Sequence, residues 1–108
     1  HKIAPHWKIT RRSYYRSGNN DFQRAAYFMD NGAYDKAAQI WKQFIGSGNR
    51  SLAGNALLNL AVYYELKGDV DQAIDFAAKA AAKKNELALN YLKTLKNRKV
   101  EIKQLLEE

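Results

Sequence analysis

Apolar residues return along most of this chain at the spacing of an α-helix. The clearest stretch is 57–80, LLNLAVYYELKGDVDQAIDFAAKA. Leu57, Leu60, Ala61 and Tyr64 recur at i, i+3, i+4 and i+7 and so share one helical face. Lys67-Gly68-Asp69 breaks the period, and Val70, Ala73, Ile74 and Ala77 resume it. Gly68 suits the left-handed residue that closes a helix, because it has no Cβ to clash. Asp69 suits the N-cap of the next helix, with Gln72 completing a capping box. Ala61, Ala73, Ala77 and Ala80 are small enough to let the two helices approach closely. The stretch therefore predicts a helical hairpin.

The same reading extends in both directions. Residues 20–30 form a helix, with Phe22, Ala25, Ala26, Phe28 and Met29 as its apolar face, Asn20 and Gln23 as its capping box and Asn31-Gly32 as its stop. A second helix covers about 34–45, carrying Ala37, Ala38, Trp41, Phe44 and Ile45. Gly46-Ser47-Gly48-Asn49 ends it. A third runs over about 51–67 and a fourth over about 70–83. Lys84-Asn85 marks a weak break. The stretch 86–108 then reads as one last helix, or as two with a kink near Asn97, the single helix being favoured, with Ala88, Leu92, Leu95, Ile102 and Leu106 along one side, interrupted by Lys99. Residues 1–19 show no clean period and read as an irregular aromatic and basic segment. The fold class is all-α.

A shift of 36 residues lays the first hairpin over the second. Gly32 meets Gly68, Ala37 meets Ala73, Ala25 meets Ala61 and Phe28 meets Tyr64. On these residues the chain resembles a tetratricopeptide repeat (TPR) protein, with repeat one at 20–46, repeat two at 51–84 and a capping helix at 86–108. Repeat two carries the resemblance best: Leu57, Leu60-Ala61, Tyr64, Gly68-Asp69, Ala73 and Ala80 take the family's positions. Repeat one departs from it at Arg24, Ala33 and Phe44. Neither repeat ends in proline, and the offset is two residues longer than the usual ~34. The resemblance implies right-handed superhelical stacking, and a non-enzymatic scaffold that binds a peptide or protein segment on its concave face. The residues matching that face are Phe22, Gln23, Ala26 and Met29 in repeat one, and Leu58, Asn59, Val62 and Glu65 in repeat two. The carboxylate clamp of chaperone-binding relatives is not expected, since only Asn59 fits it. Together with the segment around Trp7 and Tyr14-Tyr15, the repeats also resemble the C-terminal part of an uncharacterised family of bacterial envelope lipoproteins, which implies a cell-envelope location.

Composition narrows the chemistry. The chain has 108 residues, 46% hydrophobic and 27% charged, which fits one folded domain rather than a disordered chain. It starts at His1 without a methionine and reads as a piece of a longer protein, whose upstream part is itself a candidate partner. There are no cysteines, so disulfides and thiolate metal sites are excluded. No apolar run approaches the ~20 residues that span a bilayer. His1 and His6 are the only histidines, and neither a nucleophile–base pair nor a phosphate-binding glycine loop is present. No cofactor, metal or catalytic residue is expected. Asp69, Asp71 and Asp75 read as a cap and a solvated face rather than as a cation site.

The net charge of +7 gathers at the two ends. Five basic and no acidic residues occupy positions 2–16, and eight basic against two acidic occupy positions 79–103. Arg11, Arg12 and Arg16, with Lys96, Arg98 and Lys99, are the basic-surface candidates. Basic residues interleaved with Trp7, Tyr14 and Tyr15 are compatible with nucleic acid or an anionic membrane. Against these stand the packing of the aromatics on the first hairpin, and a purely structural domain that packs on an upstream neighbour. Nucleic acid is the weaker expectation.

Overall fold

The computed structural model describes residues 20–107. Within them five helices follow one another: α1 (Asn20–Asp30), α2 (Tyr34–Lys42), α3 (Arg50–Leu66), α4 (Val70–Ala82) and α5 (Ala88–Glu107). Each packs on the next in chain order. The all-α expectation holds, and the last helix is one unbroken element. The expectations at residues 1–19, including Arg11, Arg12, Arg16, Trp7 and both histidines, lie outside the described residues.

The two helical hairpins turn in the same way at the 36-residue offset. Gly32 (φ +80°) and Gly68 (φ +86°) sit in the left-handed region, which a Cβ makes costly. Gly32 donates its N–H to the Met29 carbonyl at 3.2 Å, and Ala33 to Phe28 at 2.8 Å. Gly68 donates to Glu65 at 3.0 Å, and Asp69 to Tyr64 at 2.8 Å. This pair of bonds back into the last turn is the Schellman closure. α4 ends in the same way without a glycine. Lys84 (φ 62°) takes the left-handed position, donating to Ala81 at 2.9 Å, while Asn85 donates to Ala80 at 3.2 Å.

The helix starts differ as their sequences do. Asp69 caps α4 through its Oδ1, which accepts the Gln72 N–H at 3.0 Å. Asn49 caps α3 by accepting from Leu52 at 3.0 Å, so α3 begins one residue before its predicted start. Ala33 gives α2 no side-chain cap. Asn20 is the first residue of α1 rather than a residue ahead of it. α2 also stops at Lys42 instead of 45. Gln43, Phe44 and Ser47 bond to carbonyls three residues back, tightening the chain into turns before Gly48.

The core runs the length of the stack. Trp41, Phe22, Leu58, Leu60 and Leu95 are its largest fully buried side chains. α3 is buried on every side, with each residue from Ala56 to Tyr63 inside. A helix apolar all round belongs in an interior, and α3 is the central element. Gly54 lets α3 pass close to the α4–α5 connection: a Cβ there would lie 3.3 Å from the Lys83 Cβ. Edge-to-face contact between Phe22 and Phe44, with centroids 5.4 Å apart, joins α1 to the end of α2.

One polar link crosses from α2 to α3. The Tyr63 hydroxyl donates to Asp35 Oδ1, and Lys67 Nζ lies 3.5 Å from the same oxygen. The hydrogen bond from Tyr63, then the Lys67 charge, hold the Asp35 carboxyl below its ordinary value. The same bond, then burial, push the Tyr63 phenol up to about 12. A raised phenol contributes stability that is complete below its ordinary value near 10 and is lost as pH rises toward 12. A depressed carboxyl contributes stability that is complete above 3.8 and is lost as pH falls through its lower folded value. Tyr63→Phe is therefore expected to flatten the decline of stability between pH 10 and 12. Urea titrations across that window check this; parallel declines in both proteins would refute it.

Candidate functional site

The concave-face expectation is corrected at most of its residues. Phe22, Ala26, Met29, Leu58, Asn59 and Val62 are all buried. They are core: Phe22, Ala26 and Met29 belong with Ala25 to the single packed stripe of α1, and Leu58, Asn59 and Val62 lie in the part of α3 that is buried all round. Gln23 is exposed. The Glu65 side chain is only 6% exposed and is engaged: the Tyr91 hydroxyl donates to its Oε1 at 2.5 Å, and Arg98 approaches its Oε2 at 3.6 Å. A buried carboxylate needs such partners, because stripping its water is costly.

The basic-surface candidates divide. Lys96 is exposed. Lys99 is exposed but ion-paired to Asp71 of α4 at 2.6 Å. Arg98 is corrected from surface to structure, since its side chain is 27% exposed and bridges Glu65 and Glu101. Arg98→Ala removes the Arg98 cation from the buried Glu65 carboxylate. The expected loss is about 3 kcal/mol, near the lower bound for breaking a buried pair because Tyr91 still donates. Urea denaturation measures it, and a loss under about 1 kcal/mol would show the pair to be an ordinary surface contact.

An open surface lies instead at the far end of α5. That helix has 20 residues and its neighbour α4 has 13. At 1.5 Å per residue α5 is about 10 Å longer. Its first turns bury Ala88, Tyr91 and Leu95. The same stripe continues to Ile102 and Leu106, which are 40% and 83% exposed, and Leu105 beside them is 62% exposed. The α3–α4 turn faces this stripe. Between them runs a trough of about 680 Å³, with Gly68, Val70, Ile102 and Leu106 among its walls and Lys99 and Lys103 also lining it. Gly68 keeps the turn low, having no side chain to fill the trough.

The residue pattern puts Ile102 and Leu106 on the side of the capping helix that packs. It does not show that this side outruns its partner. The one available signal is the unequal length of the last two apolar stretches. Among the described residues no three of His, Cys, Asp and Glu come together, and no helix is long and apolar enough to cross a membrane. The surface offers shape, apolar area and lysine charge.

Residues 23–97 match the profile of a domain of unknown function, DUF6340. The chain belongs to this family. No curated protein and no solved structure matches the chain. The DUF6340 match takes in the whole of α2, α3 and α4 and stops within α5 just before Arg98, so Ile102, Leu105 and Leu106 lie beyond it.

Proposed function

We propose that this chain is a non-enzymatic interaction module of TPR-like build, two stacked repeats and a capping helix in a right-handed superhelix, that seats a protein or peptide segment in the trough beside α5. The observation that carries this is the exposure of Ile102, Leu105 and Leu106 on a stripe whose earlier residues are core. Exposed apolar residues scattered singly are ordinary, but a contiguous group beside a concave turn marks a contact surface. The segment would lay apolar side chains against Ile102 and Leu106, with Lys103 meeting an acidic flank. The shared Schellman turns at Gly32 and Gly68 support the repeat reading. An occupant from the same polypeptide fits the surface equally well, which is the structural-domain reading of the trough.

A photo-reactive residue in place of Leu106, and another in place of Lys36 on α2, test this in the parent organism's lysate or cells. A discrete adduct is expected from position 106 only. Ile102→Asp is expected to suppress it by at least roughly tenfold, as for loss of one central apolar anchor. Identical adducts from both positions, or none from 106, would reject the trough.

A further inference from the structure

A second face of α5 is built differently from the trough. At 100° per residue, Leu89, Lys93, Lys96, Lys99, Val100 and Lys103 fall within an arc of about 120°. The buried stripe of Ala88, Tyr91 and Leu95 lies to one side of this arc, and half-buried Leu92 falls within the arc on that side, between Lys99 and Lys103. The Lys99–Asp71 pair sets the edge of the arc that lies nearest α4. Lys93, Lys96 and Lys103 are exposed and form no ion pair among the described residues. Leu89 and Val100 are 55% and 53% exposed.

From this arrangement we infer that the Lys93–Lys96 face of α5 docks on an anionic lipid surface, with the helix lying parallel to it. The chemistry is that of an interfacial helix. Lysines spaced along one face collect the surface potential of anionic headgroups, and aliphatic side chains between them enter the headgroup boundary. Lysine stems extend across that boundary while their ammonium groups stay among the phosphates. Nucleic acid is the less suitable polyanion for this face. Its binders add aromatic rings on which bases stack, whereas the exposed apolar residues of this arc are leucine and valine. The face borders the trough at Lys99 and Lys103, which belong to both, and is separate from it at Leu89, Lys93, Lys96 and Val100, which take no part in lining it.

The test is co-sedimentation of the full chain with vesicles at low salt, using a phosphatidylcholine–phosphatidylglycerol mixture and phosphatidylcholine alone. The wild type is expected to bind the mixture and not the neutral vesicles. Lys93→Gln with Lys96→Gln is expected to weaken binding by roughly tenfold or more, since each lysine near such a surface contributes on the order of a fivefold gain. Leu89→Ser with Val100→Ser is expected to weaken it as well, with helicity by circular dichroism unchanged. Val100→Trp gives a second readout, taken as the difference from the wild-type spectrum. The emission added by the new indole is expected to shift to the blue on the mixture alone. Equal binding to both vesicles, wild-type binding by the lysine variant, or no blue shift of that added emission would each overturn the inference. So would a leucine–valine variant that binds unchanged and is displaced by homopolymeric RNA, which would mark the face as a generic polycation.

Discussion

Leu58→Asp is expected to abolish the cooperative unfolding transition of this domain. Leu58 is fully buried in the middle of α3. Replacing it removes about 2–3 kcal/mol of apolar transfer energy. It also places a carboxylate in the interior, at a further cost of several kcal/mol, because nothing at an apolar site replaces its water. A domain of this size has a total stability of roughly 5–13 kcal/mol, so the sum takes up most or all of it. Leu58→Ala separates the two contributions. It creates a cavity without a charge, and should leave a folded protein weakened by about 2–5 kcal/mol. Gln23→Asp, on α1 and exposed, should change stability by less than about 0.5 kcal/mol. Urea titrations of the three variants decide the matter. If Leu58→Asp keeps a thermal midpoint within a few degrees of the wild type, position 58 faces an open groove and the burial of α3 is not intrinsic to the domain.

Position 58 also marks where the residue pattern stops being informative. Helical period locates α1, α3 and the start of α4 closely, because their boundary signals are explicit: Gly32, Gly68 and the Asp69 cap all act as their residue types require. The pattern does not say which side of α3 faces solvent. A helix with Leu57, Leu58, Leu60, Ala61 and Val62 in one run has no polar side to exclude from the core. Assigning Leu58 and Val62 to a groove follows from the resemblance, not from amphipathicity. Arg98 illustrates a second limit. In a basic stretch it reads as surface charge, and only the tertiary position of Glu65, 33 places earlier in the chain, makes it half of an interior pair. Lys84 shows a third. A left-handed helix end without glycine has no sequence signature, so the α4 stop looks weak although its hydrogen bonds match those at Gly32 and Gly68. The exposed end of α5 depends on a comparison of lengths between two helices, which local periodicity does not make.

Removal of residues 85–108 is expected to leave residues 1–84 without a cooperative fold. α5 contributes Ala88, Tyr91 and Leu95 to the core, and Leu95 is fully buried. Losing Tyr91 and Leu95 forfeits about 4–5 kcal/mol of burial. The deletion also removes both Tyr91 and Arg98 from Glu65, leaving a carboxylate on α3 without the donor and the cation that α5 supplied. Water can reach that carboxylate once α5 is gone, which limits this second cost, but the apolar faces of α3 and α4 become exposed at the same time. On the proposed repeat reading, two hairpins are below the three units that helical stacks usually need, which makes the missing helix a third partner rather than an appendage. Cutting instead after Val100 keeps Ala88 to Arg98 while removing Ile102, Leu105 and Leu106. Since those three are exposed, that shorter deletion should preserve the transition and abolish only the trough. Thermal melts followed by circular dichroism on 1–84, 1–100 and 1–108 distinguish the cases. A cooperative melt of 1–84 matching the full chain would show that the two hairpins are self-sufficient. Loss of the transition already in 1–100 would show that the distal end of α5 is structural, and would remove the basis for a partner seated on it.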